Sequence, residues 1–136
     1  EKIENSIRQK NLQHIIKFYG STNKMNLIYA LSDIVISSST DPEAFGRVSI
    51  EAQAMGKLII ASAHGGSQET ILEGKTGYLY SPKNPFELME KISSVIDQKT
   101  YCSNEMSASA IEHIKSNYGK DKMCKKTLEF YQEIIG

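Results

Sequence analysis

The chain has 136 residues, enough for one domain with a real core, and 40% of its side chains are hydrophobic and 24% charged. Sixteen basic residues balance sixteen acidic ones, so no global field favours nucleic acid. No apolar run approaches the roughly 20 residues that a membrane-spanning helix needs. Helical patterning starts at once, with Ile3 and Ile7 set among Lys2, Glu4, Arg8 and Lys10. A helix is therefore expected over residues 1–12, and the chain is expected to begin inside a longer protein. Ile15, Ile16, Lys17, Phe18 and Tyr19 read as a short strand ended by Gly20. Ser21 or Thr22 stands where it would cap a helix whose apolar face is Met25, Leu27, Ile28 and Leu31.

Residues 33–37 are β-branched and apolar enough to suit a buried parallel strand. Loop 38–46 then leads into a helix through Val48, Ala52 and Met55, with Gly56 just past its end. Its small residues Ala52, Ala54 and Gly56 would let it pack close to a sheet. Residues 58–62 form a third buried-type strand, Gly65 and Gly66 mark a loop, and 67–72 a short helix. Residues 74–77 form a turn and 77–80 a fourth strand. Asn84, Pro85 and Glu87 form a helix start: Asn caps, Pro takes the first helical position, and Glu can complete a capping box. That helix carries the stripe Leu88, Ile92, Val95 and Ile96, and helices near 104–116 and 121–134 follow.

Alternating strands and helices predict an α/β fold, a Rossmann-like parallel sheet with flanking helices. In such sheets ligands bind beyond the carboxyl ends of the strands, which directs attention to loops 38–46 and 62–67. Gly46 permits a close backbone approach, and the amides of about 46–49 lack intrahelical acceptors, a setting suited to phosphate. Two carboxylates frame this turn. Glu43 precedes the helix, and Glu51 lies within it between Val48 and Met55 on one face. A carboxylate in apolar company must find donors. Ribose hydroxyls or a neighbouring Lys or Arg both fit Glu51, and Glu43 either contacts ligand or simply favours the helix dipole.

Cys102 and Cys124 sit apart with no CxxC, and His14, His64 and His113 are scattered. Reduced thiols, a cytoplasmic location and no metal site are the expectation. The densest basic stretch is Lys115, Lys120, Lys122, Lys125 and Lys126, which suits either anionic lipid headgroups or a solvated helix face.

Residues 41–57, Asp-Pro-Glu-Ala-Phe-Gly-Arg-Val-Ser-Ile-Glu-Ala-Gln-Ala-Met-Gly-Lys, resemble the donor-site signature of the retaining GT-B glycosyltransferases, glycosyl transferases group 1. The similarity extends through Gly65-Gly66, Glu69-Thr70-Ile71 and residues 74–79, and back to Phe18-Tyr19-Gly20 and residues 30–34, covering most of 14–96. The resemblance implies that residues 1–136 are part of the nucleotide-sugar donor-binding domain, the C-terminal half of a GT-B fold. Glu43 would act at the anomeric centre as the catalytic carboxylate. Glu51 would bind ribose, and the backbone of Ala44, Phe45, Gly46, Arg47 and Val48 would hold sugar and diphosphate. Thr22 and Lys24 would lie near the base.

The implied substrate is a UDP- or GDP-sugar, with retention of configuration, no metal or other cofactor, and a glycan or lipid-linked acceptor of the cell envelope. Arg47 stands where the family often has an aliphatic residue, to reach phosphate or face solvent. The family's diphosphate-binding basic pair, the N-terminal strands of this domain and the acceptor-binding N-terminal domain are expected on a missing segment. The isolated chain is accordingly expected to be inactive, and any membrane association peripheral, at the inner face. Related GT-B proteins act as nucleotide-sugar epimerases or phosphorylases, but the Glu43 to Glu51 spacing favours a transferase.

Overall fold

The computed structural model describes residues 2–135, apart from the side chain of Cys102; Cys124 is free and exposed. Three strands, β1 (Ile34–Ser37), β2 (Leu58–Ser62) and β3 (Tyr78–Tyr80), form a parallel sheet in the order β1-β2-β3. Ile34 pairs with Leu58, and Ile60 with Tyr78. The α-helices among the described residues are α1 (Lys2–Gln9), α2 (Met25–Leu31), α3 (Arg47–Ala54), α4 (Gly66–Thr70), α5 (Pro85–Asp97), α6 (Asn104–Tyr118) and α7 (Lys120–Ile135).

Both faces of the sheet are covered, which is why β2 is apolar at every position but its last. Its residues alternate between two cores. Ile59 and Ala61 pack with Tyr29, Ala52 and Ile71 under α2, α3 and α4. Leu58 and Ile60 pack with Tyr80 and Val95, joined by Leu88 and Ile92 from α5 and Met106 from α6. Gly77 enters β3 where an added Cβ would run into Ile59, so its small size sets the strand's approach.

Four expectations need correction. Residues 15–19 are turn and coil rather than a strand, with Ile15, Phe18 and Tyr19 exposed. The amides of Ile15 and Ile16 are spent on the Leu12 carbonyl, at 3.0 and 2.9 Å, and a strand without a ladder partner has nowhere to put its remaining groups. The first helix ends at Gln9 rather than 12, because Asn11 turns left-handed and Leu12 N donates back to the Ile7 carbonyl. On α2 the buried side chain is Tyr29, whereas Leu27 and Leu31 face solvent. Its N-cap is Lys24, whose amide donates to Thr22 Oγ1 at 3.1 Å. On α3, Ala52 meets the core but Ala54 is exposed, and Gly56 lies against Ser107 and Ile111 of α6 rather than the sheet.

The start of α5 is as expected in part. Asn84 Oδ1 accepts from Glu87 N at 3.2 Å, but the Glu87 carboxylate accepts from Ser81 N instead of the cap amide, at 2.9 Å. The Ser81 side chain, and after it this backbone bond, hold the Glu87 carboxyl below the ordinary range. Of the basic stretch, Lys122 donates to Ser116 O and Asn117 Oδ1 and so covers the end of α6.

Candidate functional site

The turns after β1 and β2 lie side by side at the carboxyl end of the sheet. Gly46 is left-handed (φ 68°) and caps α3, its carbonyl accepting from Ser49 N at 3.0 Å. The Ser49 amide is therefore spent, which narrows the expected anion turn to Gly46, Arg47 and Val48, whose amides have no carbonyl one helical turn earlier. Gly66 N donates to the Glu43 carbonyl at 2.7 Å. Any Cβ at Gly65 would strike the Glu43 backbone, and one at Gly66 the Phe45 backbone, so both glycines are needed for the contact. Gln53, fully buried, donates from Nε2 to Ser49 O (3.1 Å) and Thr70 O (3.0 Å), fastening α3 to α4.

Glu51 is held on both oxygens. Tyr29 Oη donates to Oε2 and Arg47 Nη2 to Oε1, each at 3.0 Å. Tyr29 is 3% exposed, and its phenol is pushed up to about 12, mainly by burial and then by the hydrogen bond and charge of Glu51. The Arg47 pair is a solvent-facing i,i+4 contact, worth little by itself. Thus the pairing with a basic side chain does occur, but it is joined by a buried phenol that the sequence did not suggest. Glu51, Arg47 and Tyr29 line an open groove of about 530 Å³ with Thr22, Asn26 and Met55. Four carboxylate lone-pair sites serve two donors here, so the carboxylate keeps acceptor capacity for hydroxyls.

Of the remaining predicted positions, Lys24, Glu43, Ala44, Phe45, Gly46 and Val48 are not on the wall of that groove. Glu43 is half-buried and accepts from Ser39 Oγ at 2.9 Å. Ala44 is exposed. Phe45 is half-exposed and meets Tyr118 edge-on at 6.2 Å, while Tyr118 Oη donates to the Glu69 carbonyl at 2.7 Å. Val48 packs its side chain on the core, so only its backbone is available to a ligand.

Sequence reasoning missed Tyr29, Ser39 and His64. His64 Nε2 lies 2.9 Å from the Ser39 carbonyl. The one available signal was Tyr29 itself, a large amphipathic residue that rarely enters a core without a partner for its hydroxyl. Among the described residues no group of three or more metal-ligating side chains forms, and no helix is long and apolar enough to cross a membrane.

These features can be set beside known proteins. The family model described as glycosyl transferases group 1 matches residues 1–117. Spore coat protein SA of Bacillus subtilis is 31% identical over 107 residues, 78% of this chain and 28% of that protein. Lipopolysaccharide 1,2-N-acetylglucosaminetransferase of Salmonella typhimurium is 38% identical over 80 residues, 58% of this chain and 21% of that protein. The chain thus spans less than a third of either relative's length. Among solved structures, a glycosyltransferase from Rickettsia africae superposes with a TM-score of 0.89 at 36% identity, covering 98% of this chain and 36% of that one. Anabaena HepE in complex with UDP gives a TM-score of 0.90 at 26% identity, covering 97% and 36%. The parallel sheet, the glycine-built turns and the sequence match agree: this chain belongs to the glycosyl transferases group 1 family, with the α/β architecture of a GT-B glycosyltransferase half-domain.

Proposed function

We propose that this chain is the donor-binding part of a longer retaining glycosyltransferase. The enzyme would move a sugar from a nucleotide-sugar to a glycan or lipid-linked acceptor. The observation that carries the reading is Glu51, a carboxylate fixed by Tyr29 and Arg47 on the wall of a groove of about 530 Å³. A rigid acceptor pair at this place suits the vicinal hydroxyls of a ribose, and Thr22 and Asn26 line the same groove where a base would lie. Arg47 and the first-turn amides of α3 suit diphosphate. Glu43, at the other end of the same turn, suits the anomeric centre of the transferred sugar.

The structures of HepE with UDP and with UDP-glucose lend support to a uridine nucleotide as the first donor to try. Leaving-group charge would be met by helix amides and basic side chains without a metal. Acceptor binding and the rest of the diphosphate site are assigned to chain outside these residues, so the isolated 136 residues would bind donor and transfer nothing. In the full-length protein, Glu43→Ala and Glu51→Ala should each reduce transfer from UDP- or GDP-sugars at least a hundredfold. Turnover within a few-fold of wild type in both variants would sink the assignment.

A further inference from the structure

Glu43 lies in a turn, outside any helix or strand, where a side chain with three rotatable bonds would ordinarily sample many orientations. It does not. Ser39, four residues earlier, donates from Oγ to Glu43 Oε1 at 2.9 Å, and the carboxylate can only accept, which fixes the direction of the bond. The Ser39 backbone is held in turn: its carbonyl lies 2.9 Å from His64 Nε2. A carbonyl also only accepts, so Nε2 carries a proton and donates it here, and Nδ1 is the ring nitrogen that remains to be placed.

That Nδ1 atom is buried and has no hydrogen-bond partner. An apolar residue would fill the same space without an orphaned nitrogen, so simple packing does not account for a histidine here. His64 is itself rooted in the sheet, through its own amide to the Ser62 carbonyl at 2.9 Å and through Ala63 N to the Tyr80 carbonyl at 2.8 Å. The same turn reaches Glu43 a second time through Gly66 N. Glu43 is thus gripped at its backbone by Gly66 and at its carboxylate by Ser39, with both holds traced to the turn after β2. The other oxygen, Oε2, has no protein partner among the described residues.

We propose that Ser39 and His64 are positioning residues for Glu43, a relay from the end of β2 that aims Glu43 Oε2 at the transferred sugar. The inference rests on the role proposed for Glu43 and adds two residues that act through it. It predicts a loss confined to turnover, since neither residue lies on the groove beside Glu51.

The test uses the full-length protein and a panel of UDP-, GDP- and ADP-sugars, reading release of nucleoside diphosphate with the donor that wild type consumes fastest. Ser39→Ala and His64→Leu should each lower kcat about tenfold or more with donor KM within about twofold. Ser39→Thr, which keeps the hydroxyl, should restore kcat to within a few-fold, and melting temperatures of the Ser39 variants should match wild type. The relay is overturned if Ser39→Ala keeps kcat within about twofold of wild type, or if Ser39→Thr is as slow as Ser39→Ala. Glu43→Gln, run alongside, separates the two readings: near-wild-type turnover there, or no turnover of any donor by wild type, removes the proposed role of Glu43 and the relay with it.

Discussion

At the scale of single residues, the proposed chemistry turns on how two carboxylates are held. Glu51 is fixed in place because a buried phenol and an exposed guanidinium share its two oxygens. Tyr29→Phe leaves the ring in the core and removes only the bond that orients Glu51, so donor KM should rise several-fold, about 1 kcal/mol, less than the ~1.5–3 kcal/mol of a direct hydrogen bond to a charged group. The phenol also reports on itself. Its value in the folded chain is about 12 against an ordinary 10.0. The folded state therefore keeps a proton that the unfolded state has released between those values, and stability must fall as pH rises from 10 towards 12. Below pH 10 the contribution is fully present. Denaturant unfolding at several alkaline pH values should show this fall in wild type and a shallower one in Tyr29→Phe; equal slopes would assign the alkaline loss to other groups.

These side-chain pairings were the part least legible in the sequence. Tyr29 and Glu51 are 22 residues apart, and Ser39 and His64 are 25 apart, so no local spacing links them. What was legible were the positions built on backbone rules: Gly46 as a close approach before a helix and Gly65-Gly66 as a loop, to which the structure adds the positive φ of Gly46 and a second turn too close for a Cβ at Gly65 and Gly66. Glycine in those places advertises geometry, whereas a serine or histidine advertises nothing until its partner is known.

Among elements, the unit from β1 to α5 followed from periodicity and capping chemistry, since each strand there has a ladder neighbour and each helix a core to cover. Residues 15–19 misled because their composition suits a strand, but a strand is a property of pairs. The face of α2 misled for a related reason: four apolar residues suggested one stripe, yet only Tyr29 turns towards the core. Two substitutions test the element-level account by thermal melting. Asn84→Ala removes the cap on α5 and should cost about 1 kcal/mol, or roughly 4 °C. Gly66→Ala forces a methyl into the Phe45 backbone and should cost more, about 2–3 kcal/mol, while also displacing Glu43. If Gly66→Ala melted with wild type, the close contact between the two turns would be wrong.

For the whole molecule, the sheet is covered on both faces but open along both edges, since among the described residues β2 is the only ladder neighbour of β3 and likewise of β1. Ile36 is 43% exposed on the β1 edge, and β1 carries no lysine or proline to blunt pairing with another strand. The isolated 136 residues should therefore self-associate at high concentration. Ile36→Lys should shift the sedimentation coefficient towards monomer, and an unchanged profile would exonerate this edge. The family match carries the architecture, and the proposed chemistry adds that a nucleotide-sugar is gripped through Glu51. The most direct test is calorimetric titration of UDP and UDP-glucose into the full-length protein and its Glu51→Ala variant. Saturable binding in wild type, weakened at least tenfold by the substitution, is the predicted result. Undiminished affinity in Glu51→Ala would contradict the account.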